Sequence, residues 1–131
     1  MSPDQWIYNP ELRNSVEREL DNWGLWSRGG GTDLGYPHQV AGASPPERDP
    51  PAPCNIEQAE QTEAILTSWK QEGDAGDRMT FLLKLCHVER LPIEAITTHY
   101  ERKYRHYIGE SVIDATIDEA RMVYWLRGLT W

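Results

Sequence analysis

Leu82-Leu83-Lys84-Leu85-Cys86-His87-Val88-Glu89-Arg90-Leu91-Pro92-Ile93-Glu94-Ala95-Ile96 is the stretch whose reading decides the fold. An apolar helix runs into a short break at Leu91-Pro92, and a second, short helix carries Ile93 and Ile96. After a basic aromatic run, a third helix begins near Ile108 to Ser111 and continues through Ala120 and Leu126. A supporting helix, a short helix, a turn and a longer helix predict an all-α domain built on a helix-turn-helix.

Each side of this core stretch extends the pattern. Gly76-Asp77 starts the supporting helix, whose stripe is Met79, Leu82, Leu83 and Cys86, and which ends around Glu89-Arg90. Pro92 suits the first turn of the short helix, where its missing N–H is not needed. Ile93 and Ile96 face inward with Tyr100. In the last helix Ser111 with Asp114 makes a capping-box pattern. Ile113, Ile117, Ala120 and Tyr124 form its inward face, widened by Val112, Val123 and Leu126.

Upstream, Asn55 caps a helix with Gln58 in the capping-box position; Ala59, Thr62, Leu66 and Trp69 line it, Ile65 lies beside them, and Gly73 stops it. Asn9-Pro10 opens the first helix, with Leu12, Val16, Leu20 and Trp23 as its stripe and Gly24 as its end. Trp23 and Trp26 read either as core anchors or as indoles presented to a partner. From Arg28 to Pro53 lie five glycines and six prolines, a composition that builds neither a helix nor a sheet core. Gly29-Gly30-Gly31 is no phosphate loop, since no Lys-Ser/Thr follows it. Tyr36-Pro37-His38 is the piece of this arm expected to dock on the domain.

The divisions expected are 1–27, an N-terminal helix with a Trp-Gly-Leu-Trp corner; 28–54, a Gly/Pro-rich arm; and 55–131, a helical domain with its helix-turn-helix at about 91–128. At 131 residues and 39% apolar, the chain supports one small core plus that arm. No apolar run approaches the roughly 18 residues of a membrane span. Met1-Ser2-Pro3-Asp4 does not open a signal peptide, so the expectation is a soluble, cytoplasmic protein. Cys54 and Cys86 are too few for a disulfide scaffold. Cys86 reads as a structural thiol, and neither metal nor cofactor is expected.

The net charge of −8 is unevenly placed. Residues 1–83 hold six Lys/Arg against fourteen Asp/Glu, and residues 84–131 hold seven against seven. The acidity therefore lies outside the helix-turn-helix, and an acidic half suits solubility and protein contacts. His99-Tyr100-Glu101-Arg102-Lys103-Tyr104-Arg105-His106-Tyr107 interleaves cations with aromatics, which suits phosphate contact and stacking. The same run also reads as a helix end whose tyrosines pack inward while its cations favour the helix dipole. The exposed start of the last helix, Glu110, Asp114, Ala115 and Asp118, is acidic where a groove-reading helix offers Arg, Lys, Asn or Gln. Asp114 and Asp118, at i and i+4, would be the metal pair of a small nuclease.

Trp23-Gly24-Leu25-Trp26 at a helix exit resembles the Trp-Gly-x-Trp signature of the phage Q late-gene antitermination proteins, in their compact lambdoid type without the zinc of the lambda version. A Gly/Pro-rich connector, a helix near Ile56 and a Leu-rich helix running into Leu91-Pro92-Ile93-Glu94-Ala95-Ile96 are similar to the same family, as are Ser111 and Ala120. The resemblance implies a sigma-region-4-like helix-turn-helix and a non-enzymatic transcription factor in the bacterial host cell. Its partners would be double-stranded DNA near the phage late promoter and paused host RNA polymerase with its sigma factor, with self-association on DNA allowed. Termination would be suppressed by narrowing the RNA exit channel.

On that reading His99, Arg102, Lys103, Arg105, His106, Ser111 and Arg121 are the DNA-binding candidates, and Trp23, Leu25, Trp26 and Arg28 the polymerase-binding ones. The segment between Ile96 and Ser111 is longer than the family's turn and the last helix is acidic where a groove-reading helix is basic, so either DNA contact moves to Arg102, Lys103, Arg105 and His106 or the protein acts mainly through polymerase. The alternative is a phage-encoded inhibitor or host-takeover protein that acts through protein contacts alone.

Overall fold

The computed structural model describes residues 4–29 and 54–131, and in them the chain is helical with no strand. The elements are α1 (Asp4–Tyr8), α2 (Pro10–Ser27), α3 (Ile56–Lys70), α4 (Asp74–Leu83) with a π-helical turn (Lys84–Val88), α5 (Ile93–Tyr104) and α6 (Glu110–Leu129). None of these helices is long and apolar enough to cross a membrane. Most of the 28–54 arm, with Tyr36-Pro37-His38, lies outside the described residues.

Two helix starts, those of α2 and α3, are set by side-chain caps. Asn9 Oδ1 accepts from the Leu12 N–H at 3.1 Å, with Pro10 in the first turn. Asn55 Oδ1 does the same for Gln58 at 3.0 Å. The Ser111–Asp114 box does not form: α6 starts one residue after Gly109, no side chain caps it, and Ser111 lies exposed inside the helix. Likewise α4 begins at Asp74 rather than at Gly76-Asp77, after Gly73 with φ 153°.

Two glycines expected at helix ends have other work. α2 does not stop at Gly24 but runs on to Ser27, and Gly24 is buried. A Cβ built there would stand 1.9 Å from the His87 carbonyl oxygen, so only hydrogen lets α2 lie against the π-helical turn. Gly76, buried within α4, meets the Trp69 carbonyl oxygen at 2.1 Å in the same way.

Burial follows the sequence stripes. Val16, Leu20 and Trp23 of α2 join Ile65, Leu66 and Trp69 of α3, Leu83, and Ala120 and Tyr124 of α6 in one core, which Trp6 of α1 also enters. A second cluster gathers Leu82, Leu85, Ile96, Tyr100, Ile113 and Ile117, with Ile93 packed against it. Ile93, Ile96, Ile113 and Ile117 thus converge, and α6 threads both clusters. Residues 4–27 share a core with the helices of 55–131 instead of hanging from them.

Candidate functional site

Two surfaces and one buried centre carry the polar chemistry. The first surface is the C-terminal end of α5, which Arg105 closes in the left-handed conformation (φ 55°). His99, Arg102, Lys103, Arg105 and His106 are all exposed here, as is Ser111 across the 105–109 connection. The tyrosines divide: Tyr100 is buried, Tyr104 half-buried and Tyr107 79% exposed. Tyr100 packs inward as the helix-end reading expects, and Tyr107 does not.

Lys103 points its ammonium across to α4, 4.2 Å from the Phe81 ring centre and 5.4 Å from that of Tyr104. Arg78 lies 5.2 Å from the same Tyr104 ring. Each contact is a cation on the negative face of an aromatic ring. The Tyr104 hydroxyl donates to Asp77 Oδ2 at 2.8 Å, and burial, then this carboxylate, push its ionisation well up. Lys103 thus belongs to an α4–α5 junction, while His99, Arg102, Arg105 and His106 have no charged or aromatic partner among the described residues. The acidic positions Glu110, Asp114 and Asp118 of α6 are exposed, as expected. Asp118 is engaged by the indole of Trp6 at 3.3 Å, and no three His, Cys, Asp or Glu side chains among the described residues are placed to hold a metal ion.

Arg121, a DNA-binding candidate from sequence, is instead turned into the protein. Its Nε donates to His87 Nε2 at 3.2 Å, and its Nη2 to Cys86 Sγ at 3.3 Å. The other ring nitrogen of His87, Nδ1, lies 2.8 Å from Asp21 Oδ1. His87 is only 3% exposed, and its backbone is held too. Arg28 Nη1 donates to the His87 carbonyl at 3.2 Å and to that of Val88 at 2.7 Å, with Gly24 packed on the same peptide. Burial lowers the basicity of the imidazole, Asp21 opposes that, and Arg121 adds to it. Burial likewise raises the Cys86 thiol, with Arg121 pulling the other way. Cys86 is half-buried and packs on the second cluster, as a structural thiol would.

No local pattern in the sequence singles out His87 as a functional side chain. Its signal is indirect: Asp21 directly after core Leu20, and Arg121 directly after core Ala120.

The second surface is the exit of α2. Trp23 is 6% exposed and its indole donates to Glu63 Oε1 at 2.8 Å, so it is a core anchor. Leu25 and Trp26 are half-buried, Trp26 lying on the first cluster, and the exposed Arg28 is tied to the π-helical turn. Of the polymerase-binding candidates, Leu25, Trp26 and Arg28 thus keep some surface. Beside them a groove of about 870 Å³ runs along α3 and α4, floored by Leu66, Phe81 and Val88 and edged by Lys70, Lys84 and Lys103.

Comparison of the chain with protein-family models, curated proteins and solved structures finds no match in any of the three.

Proposed function

We propose that this chain is a non-enzymatic transcription antitermination factor of the phage late-gene type, which binds late-promoter DNA and paused RNA polymerase and suppresses termination. The observation that carries the reading is the exposed pair of cations Arg102 and Arg105, flanked by the exposed His99 and His106, at the end of α5. His99 and Arg102 stand on α5, which the second cluster fixes, while Arg105 and His106 follow it in the short 105–109 connection, so the Arg102 and Arg105 charges sit at the end of a held helix. In this proposal α5 and α6 act as the helix-turn-helix, and Arg102 and Arg105 meet phosphates. The α2 exit and its groove would face polymerase. The Trp-Gly-Leu-Trp resemblance supports the same assignment.

The test is transcription past an intrinsic terminator on a template with a matching phage late promoter. Readthrough should rise when the protein is added; no rise ends the proposal. A second reading, an inhibitor that meets the transcription machinery through protein contacts alone, is favoured by the exposed carboxylates of Glu110 and Asp114 on α6. Polymerase capture with no salt-sensitive DNA shift would select it.

A further inference from the structure

We propose that Asp21, His87 and Arg121 form a proton-operated clasp, closed while the imidazole is neutral and opened on the α6 side when it is protonated. The hydrogen-bond geometry settles the closed state. Arg121 Nε can only donate, so His87 Nε2, at 3.2 Å, must be the bare acceptor nitrogen. Nδ1 then carries the proton and donates to the Asp21 carboxylate at 2.8 Å. One imidazole thereby joins α2, the π-helical turn and α6.

Protonation at Nε2 would set an N–H against an N–H and a cation against the guanidinium. The charged groups facing the ring are Asp21 and Glu17 from α2 and Arg121 from α6, with the neutral Cys86 thiol beside it on its own turn and Arg28 on its carbonyl. The Asp21 bond survives protonation and grows stronger; the Arg121 bond cannot survive. The release is therefore one-sided: Arg121 leaves while the α2 side holds. Burial and Arg121 resist the proton, which places the opening on the acid side of an ordinary histidine. None of this depends on DNA or polymerase binding.

The test is NMR on the full chain with ¹⁵N-labelled histidine and arginine, titrated from about pH 8 to about pH 4, a range that extends to the acid side of ordinary histidine titration. His87 is expected as the Nδ1–H form at the alkaline end. Its titration should coincide with a shift of the Arg121 Nε–H resonance and a loss of amide protection over 84–91. Two variants should move the midpoint in opposite directions: Arg121→Met toward neutral, and Asp21→Asn, altering a half-exposed carboxylate, toward acid. An Nε2–H tautomer, or an Arg121 resonance that stays put while His87 titrates, would overturn the clasp. Because Asp21→Asn leaves the core untouched, an unmoved midpoint in that variant is equally decisive.

Discussion

Replacing Gly24 by alanine sets two effects of opposite sign against each other. Within a helix alanine is better than glycine by about 1 kcal/mol, so on propensity alone the variant should be more stable. The new methyl, however, would lie 1.9 Å from the His87 oxygen and 2.7 Å from its carbonyl carbon. Ordinary van der Waals packing begins near 3.4 Å, so the helix and the π-helical turn must separate by roughly 1.5 Å (3.4 minus 1.9). The obstacle is backbone, which has no rotamer to change. Overpacking of this kind costs about 1–3 kcal/mol. The separation also stretches the Arg28 bonds to the His87 and Val88 carbonyls, worth about 0.5–1.5 kcal/mol each. After subtracting the propensity gain, a net loss of about 1–5 kcal/mol is expected. At about 4 °C per kcal/mol for a chain of this size, Tm should fall by roughly 4–20 °C. Gly128→Ala is the matched control, since its methyl would meet nothing closer than Ile65 Cδ1 at 3.9 Å. That variant should match the parent or gain up to about 1 kcal/mol. Thermal unfolding by circular dichroism reads both, and a Gly24→Ala protein as stable as its parent would refute the close-approach account.

Three further expectations concern other parts of the molecule. Tyr124→Phe removes the hydroxyl that lies 2.8 Å from Thr62 Oγ1 and donates to Glu19 at 3.0 Å, leaving the buried Thr62 unpaired; a loss of about 1–3 kcal/mol is expected in urea unfolding. Because the His87 pKa is lowered in the folded chain, chiefly by burial, its contribution to stability is fully present above the unfolded value of about 6.5 and drains away as pH falls toward the folded value. The parent's Tm should thus drop on acidification more steeply than that of His87→Gln, and parallel curves would contradict the assignment. Arg102→Ala with Arg105→Ala should flatten the dependence of DNA affinity on log salt by roughly 0.9 for each phosphate no longer neutralised, measured by anisotropy on promoter duplex. An unchanged slope would remove both from the interface.

The parts of this fold that were legible in the sequence are those governed by period and local caps. Val16, Leu20 and Trp23, and Ile113, Ile117, Ala120 and Tyr124, are each buried as their spacing required, because a stripe on a helix has only one way to face a core. Asn9 and Asn55 cap as read, since the bond spans three residues. What escaped was long-range. Gly24 looks the same in sequence whether it ends a helix or admits a distant backbone. The bond between His87 and Asp21 crosses 66 positions, and that from Arg121 to His87 crosses 34. Arg121, counted among outward cations by its type, is drawn inward by an acceptor nitrogen that no local pattern announces. At the candidate interface the exposure of His99, Arg102, Arg105 and His106 was legible, whereas the turning of Lys103 onto Phe81 depended on how α4 meets α5.

The π-helical turn makes the chain's tolerance of length changes uneven. Its bond from the Glu89 N–H to the Lys84 carbonyl, at 3.0 Å, spans five residues where an α-helix spans four. One surplus residue is thus stored between Leu83 and Glu89. Deleting one residue there would let the turn close at α pitch while the chain on either side kept its phase. The same loss inside the regular part of α2 or α6 would rotate every later side chain by about 100° and take its apolar stripe off the core. The one place among the described helices that can shed a residue is thus the turn that carries His87.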